Sequence, residues 1–149
     1  MVRLEVIEIE QPSEYALESL MAYASVSDEG QKDILKECLV RAFDMVQRAS
    51  DTAILSGKWR ISADDHSGIV RLYMGGKVET VTNCNGLPVM FNQRGRNVYV
   101  GTDEYVEVTF TTTANAIEYA RLLPVVLRYA TALYDGKEGR ELNAILREC

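Results

Sequence analysis

Histidine occurs once in this chain, at His66, and tryptophan once, at Trp59, while cysteine and proline occur three times each. Cys38, Cys84 and Cys149 are too few and too scattered for a disulfide framework, and no Cys-x-x-Cys spacing exists to start a zinc site around a lone histidine. No apolar run approaches the roughly 20 residues that a membrane span requires. The opening MVRLEVIEIE alternates instead of running apolar, so no signal peptide is expected and the product should stay in the cytoplasm of the cell that makes it. Neither G-x-G-x-x-G nor a Walker sequence occurs, and no G-x-S-x-G elbow is present. No cofactor, metal or membrane is therefore expected.

Charge of one sign is also scarce where a nucleic-acid binder would need it. The net charge is −6 over 149 residues, and it is unevenly placed. Residues 13–51 carry eight acids and four bases, residues 1–12 carry three acids and one base, and the remaining 98 residues balance at eleven of each. The excess is acidic and sits at the front. Sequence-specific DNA binding driven by a broad basic surface is disfavoured.

What the chain does have is an order. Apolar-periodic stretches at Ser13–Ala24 and Asp28–Ser50 come first, turn-punctuated alternating segments fill Ala53–Thr113, and a Leu- and Tyr-rich helix follows at Leu123–Asp135. Ser13 is a good N-cap, with Glu14 at the positive end of the helix dipole. Ile34, Leu35, Cys38, Leu39, Ala42, Met45, Val46 and Ala49 recur at helical spacing and predict one long core-facing helix. Val2–Glu10 alternates, then switches parity at Ile7 and Ile9, which predicts an N-terminal strand or extended arm with either a bulge or two buried faces. Gly75-Gly76 reads as a hairpin turn between Ile69–Tyr73 and Val78–Thr82, and Gln93-Arg94-Gly95-Arg96 as a second tip between Leu87–Phe91 and Val98–Val100. Pro124 is expected beside the start of the last helix, since proline is best tolerated there. The predicted fold is α+β: a helical N-terminal half and a C-terminal helix packed on a small antiparallel β-meander of five or six strands. Residues 1–149 form a single domain, and 136–149 form a possible partner-docking tail.

Candidate chemistry is thin. Asp64-Asp65-His66 has an acid–base look, but neighbouring residues in a turn point apart, and Asp and His before Ser-Gly suit a solvated turn. Arg94 and Arg96 would place two guanidinium groups on a hairpin tip, within reach of a phosphate backbone or a partner's carboxylates. Tyr119, Tyr129 and Tyr134 read as packing residues that also suit an interface. Leu142, Ile145 and Leu146 give the last fourteen residues an apolar stripe beyond Gly136 and Gly139, which points to a partner-docking tail or a frayed end.

Two stretches carry a family resemblance. SEYALESLMAYASVSDEGQKDILKECLVRAFDMVQRASDTAI (residues 13–54) resembles the opening of head–tail connector, or adaptor, proteins of tailed bacteriophages: a short helix, an acidic break, then a long helix ending near a small-residue turn. YVEVTFTTTANAIEYARLLPVVLRYATALYDGKEGRE (residues 105–141) resembles that family's close, where a Val-x-Val-x-Phe strand leads to Leu-Pro and a helix ending in Ala-x-Leu-Tyr. The resemblance implies a structural, non-enzymatic protein of a phage or prophage, also described as a DNA-packaging protein. Copies of the chain itself would form a cyclic, dodecameric ring below the portal protein. That ring would retain packaged double-stranded DNA, let it pass without sequence preference, and dock the tail or a head-completion protein. Arg94 and Arg96 would then contact DNA or a neighbouring subunit, and the front-end acids could line a channel. The product would reside in the virion after synthesis in the bacterial host cytoplasm.

Two other readings compete. A small α+β binding or regulatory module would act as a monomer or dimer around one concave pocket. A hydrolase would need His66 beside a nucleophile.

Overall fold

Ser13 starts the first helix: its Oγ accepts the amide hydrogen of Ala16 at 3.1 Å, and α1 runs over Glu14–Tyr23. In the computed structural model, which describes residues 1–149, this helix belongs to a compact unit built from Gln11–Leu55 and Asn115–Cys149. A second compact unit comprises Met1–Glu10 and Ser56–Ala114. The chain is α+β, as its sequence predicts, with helices in one unit and antiparallel strands in the other.

In the helical unit, Asp28 caps a short 3-10 turn (Glu29–Gln31), and α2 follows at Lys32–Ser50. Leu35, Leu39, Ala42, Phe43 and Val46 are fully buried along α2. At about 1.5–3 kcal/mol for each large side chain, that stripe does more for the helix than intrinsic propensity. The stripe is narrower than its spacing predicts: Ile34 is exposed and Cys38 only half-buried. α2 ends at Asp51, which adopts the left-handed conformation (φ 53°).

The helix α3 spans Ala116–Tyr134, with the Asn115 side chain accepting from the amides of Ile117 and Glu118. Pro124 therefore lies inside α3 and does not start it, which corrects the sequence expectation. The proline ring faces solvent and the missing N–H leaves the carbonyl of exposed Ala120 to water, while Leu122, Val125, Val126 and Tyr129 keep the inner face continuous. Burial of that face outweighs the roughly 3 kcal/mol that an internal proline costs. α3 packs on α2, where Phe43 and Tyr119 stack with ring centroids 5.9 Å apart. A last helix, α4 (Arg140–Leu146), folds back onto α3 and α2.

The strand unit holds the N-terminal strand and six others, in two sheets where a single sheet was expected. The first sheet has the order β1 (Val2–Ile9), β2 (Gly57–Ala63), β7 (Val106–Thr112), β4 (Lys77–Asn83). Trp59, Ile61, Ala63, Val106, Val108 and Phe110 are buried on one face, and Lys58, Arg60, Glu107 and Thr109 line the other. The parity switch in β1 is a register shift between Val6 and Glu8, the bulge that its alternation allows.

The second sheet has the order β3 (Ile69–Arg71), β6 (Asn97–Val100), β5 (Phe91–Arg94). Gly75-Gly76 is accordingly no hairpin turn, because β3 and β4 lie in different sheets. The two glycines (φ 70° and 116°) carry the chain from one sheet to the other. Leu87–Val89 does not form a full strand either. Val89 donates to the Val81 carbonyl at 2.8 Å, and Pro88 makes an isolated bridge to Thr82 on the outer edge of β4.

Candidate functional site

Asp64, Asp65 and His66 do not converge. The Asp64 carboxylate takes the terminal ammonium of Met1 at 2.5 Å, which holds its pKa below the usual carboxylate range. Both ring nitrogens of His66 are engaged by backbone: Nδ1 accepts the Gly68 amide hydrogen at 3.0 Å, so Nε2 carries the proton and donates to the Glu104 carbonyl. The imidazole thus clips the β2–β3 turn to the loop before β7. An open cleft of about 460 Å³ beside it is lined mainly by Ala63, Ser67, Val70 and Tyr73, with Asp65 and Arg71. No nucleophile is paired with His66 there.

The second sheet presents an unusual surface. Register places Ile69, Tyr99 and Asn92 in one row across its three strands, and Arg71, Asn97 and Arg94 in the next. All six are exposed and share one face, while Val70 and Val98 on the opposite face are buried. The Arg94 guanidinium lies 5.7 Å from the centre of the Tyr99 ring, and that of Arg71 lies 5.8 Å from the ring of Tyr73. Such stacking preorganises the long arginine side chains over aromatic surface. Met90, just before β5, is 86% exposed, and Phe91 is exposed on the opposite face of β5 from Asn92 and Arg94.

The stretch of sequence that forms this sheet carries little acid, although Asp65 just before it shares a cleft with Arg71. Between His66 and Gly101, Glu79 is the one carboxylate, against Arg71, Lys77, Arg94 and Arg96. Arginine, tyrosine and methionine are enriched in interface cores.

Arg94 and Arg96 occupy different parts of the tip. Arg94 ends β5 and joins the exposed face; Arg96 sits in the turn after Gly95 (φ 59°), with its side chain beside Gly75 and its carbonyl accepting the Leu72 amide hydrogen at 2.7 Å. The sequence located the tip but missed Arg71, Tyr73 and Tyr99. Tyr99 meets Arg94 across the β5–β6 hairpin itself, whereas Arg71 comes into line with Arg94 only through the non-local pairing of β3 with β6, which no local pattern signals.

The helical unit carries the opposite charge. Glu14, Glu18, Asp28, Glu29, Asp33 and Glu37 are all exposed on α1, the 3-10 turn and the start of α2. Lys32 approaches Glu14 at 4.0 Å and Glu29 at 3.8 Å. Tyr15, Tyr23 and Ile34 are exposed among these carboxylates, at 71%, 51% and 49%.

At the C-terminus, Leu142, Ile145 and Leu146 are half-buried on α4 or at its end. The Arg128 guanidinium in α3 grips both carboxylate oxygens of Glu148, which lowers the Glu148 pKa and raises that of Arg128. An open hollow of about 340 Å³ lies between Arg41, Leu133 and the Gly136–Gly139 turn, with Leu142 at its edge. Cys149, half-buried, has a thiol whose pKa is pushed up by that burial. No helix is long and apolar enough to cross a membrane.

No protein-family model matches the chain, and no curated protein matches it in sequence. Solved structures do match its fold. A chain in the neck of an empty gene transfer agent (GTA) particle, computed with C6 symmetry, superposes with a TM-score of 0.59 at 12% identity, over 98% of this chain and 94% of that one. A chain from the virion of the native gene transfer agent particle gives 0.58 at 13% identity, over 97% and 93%. A chain from the neck of the native particle, computed with C12 symmetry, gives 0.52 at 14% identity, over 94% and 93%. The chain thus has the fold seen in the necks of these particles, from end to end.

Proposed function

We propose that this chain is a structural neck subunit of a phage-like particle, a head–tail connector working as one domain-length piece, residues 1–149. The observation that carries the reading is the likeness of fold, along nearly the whole chain, to proteins in particle necks computed with C6 and C12 symmetry. Copies form a closed, dodecameric ring below the portal, retain packaged double-stranded DNA, and offer a docking face to the tail or a head-completion protein. The product resides in the virion after synthesis in the bacterial host cytoplasm.

The physics of the surfaces supports this. A head-to-tail ring uses two different patches per subunit, and this chain has two of opposite charge. His66 is occupied as a backbone clip, so an acid–base role in turnover has no free nitrogen to use. Leu142, Ile145 and Leu146, tethered through Arg128–Glu148, form a short amphipathic end suited to dock on the portal. Arg94 and Arg96 are the positions proposed for subunit or DNA contact.

Negative-stain electron microscopy and light scattering at raised concentration, with and without the cognate portal, test the reading. Rings that co-purify with the portal are expected. A chain that stays monomeric or dimeric even with the portal present would replace this reading with that of a small binding module.

A further inference from the structure

Resting on that ring reading, we propose which two surfaces close the ring: the exposed Arg–Tyr face of the β3–β6–β5 sheet docks onto the acidic surface of α1 and the start of α2 in the neighbouring copy.

Three observations on the first surface converge. Arg71 and Arg94 are exposed in one row with Asn97, each guanidinium near an aromatic ring. Ile69 and Tyr99 fill the adjacent row with apolar and aromatic area that pure phosphate binding has no use for. All three strands present exposed residues on this face, so a helix surface can lie across it.

The second surface is complementary in charge and in kind. Glu18, Asp33 and Glu37 are exposed, while Lys32 and Arg48 pair with Glu14, Glu29 and Asp44. Asp33 and Glu37 are one turn apart on α2, and Ile34 and Tyr15 supply apolar contact among them. Arginine can pair bidentately with such carboxylates while stacked on tyrosine. A surface fitting an opposite one on the next copy is heterologous, and it closes into a ring when the rotation allows. DNA phosphate is the rival occupant of the sheet face; the apolar row and the matching acids on the same chain favour a second copy.

Two charge-reversed variants test this: Arg71→Glu with Arg94→Glu, and Glu18→Arg with Glu37→Arg. All four residues are exposed, and circular dichroism with thermal unfolding checks that each variant is folded. Under conditions where the wild type forms rings, each variant alone should fail to assemble, at least tenfold down in ring fraction. A 1:1 mixture should restore rings, because each reversed surface then meets its complement on the other variant.

Wild-type rings that persist in both reversed variants would overturn this inference and leave the ring reading standing. Rings unchanged in the arginine variant, together with lost retardation of double-stranded DNA, would reassign the face to phosphate and overturn it as well. A wild type that never assembles, even with portal, would overturn the ring reading and this pairing with it.

Discussion

Gln93 accepts the amide hydrogen of Val78 on its side-chain Oε1 at 2.9 Å, across the gap between the two sheets of the strand unit. Its Nε2 donates to the carbonyls of Gly76 at 2.7 Å and Gly95 at 2.9 Å, so one side chain joins β5, the Arg94–Arg96 tip and the entry to β4. Replacing it by Leu removes all three bonds. Water can reach part of the site, so the expected loss of stability is about 1–2 kcal/mol. Hydrogen exchange at the Val78 amide should accelerate more than at Val81, three residues further along the same strand. Equal acceleration at both would show that the side chain supports the strand only generally.

Gln47 plays a related part in the helical unit. It is fully buried, and its Oε1 accepts from the amides of both Ile54 and Leu55 at 2.9 Å, which turns the chain after α2. Its Nε2 has no hydrogen-bond partner. Gln47→Leu keeps the volume and removes that unpartnered amide, yet it strips two buried N–H groups of their acceptor. The second effect is the larger, and denaturant unfolding should show a loss of roughly 2–4 kcal/mol. A variant as stable as the wild type would mean that the two amides find another acceptor.

The Arg128–Glu148 pair gives the C-terminal end a pH dependence. Hydrogen bonding from Arg128 lowers the Glu148 pKa in the folded protein. A depressed carboxyl pKa stabilises docking above the unfolded value, and that contribution fades as pH falls through the folded value. Arg128 stays charged throughout. Because both groups are solvent-exposed, salt should weaken the effect. Amide NMR shifts of Arg140–Leu146 should therefore titrate at acid pH in the wild type, with reduced amplitude in high salt. In Glu148→Gln the titration should vanish; a curve unchanged in that variant would place its origin elsewhere.

Much of this architecture was legible because it is local. The Ser13 cap, the α2 stripe from Leu35 to Val46, the Trp59–Ile61–Ala63 alternation and the bulge in β1 each follow from spacing within a few residues. Non-local choices were not legible. Gly75-Gly76 satisfies the rules for a hairpin, but β3 finds more to pair with in β6, nearly thirty residues on, than in β4. That one choice creates the second sheet and sets Arg71 in line with Arg94. Pro124 shows the same limit from the other side: its local preference to start a helix loses to the continuous buried face of Leu122, Val126 and Tyr129. Surface roles were legible only as composition. The Arg94–Arg96 tip stood out, whereas its aromatic neighbours needed the register to be seen.

The junction between the sheets makes its own prediction. Gly76 has φ 116°, and a Cβ placed there would lie 2.4 Å from the Thr111 carbonyl oxygen and 3.2 Å from the Phe110 ring. Alanine must therefore both strain the backbone and push the start of β4 away from β7, where Lys77 pairs with Thr111. Gly86 is the control: φ is 77°, but nothing lies within 4 Å of its would-be Cβ. Backbone strain alone should cost Gly86→Ala about 1 kcal/mol, while Gly76→Ala should lose roughly 2–3 kcal/mol. Gly76→Ala should also disturb the Gln93 bond to the Gly76 carbonyl and so loosen the Arg94 tip. Chemical denaturation of the two variants side by side decides the point, since equal losses would mean that the close approach of Gly76 to β7 contributes nothing.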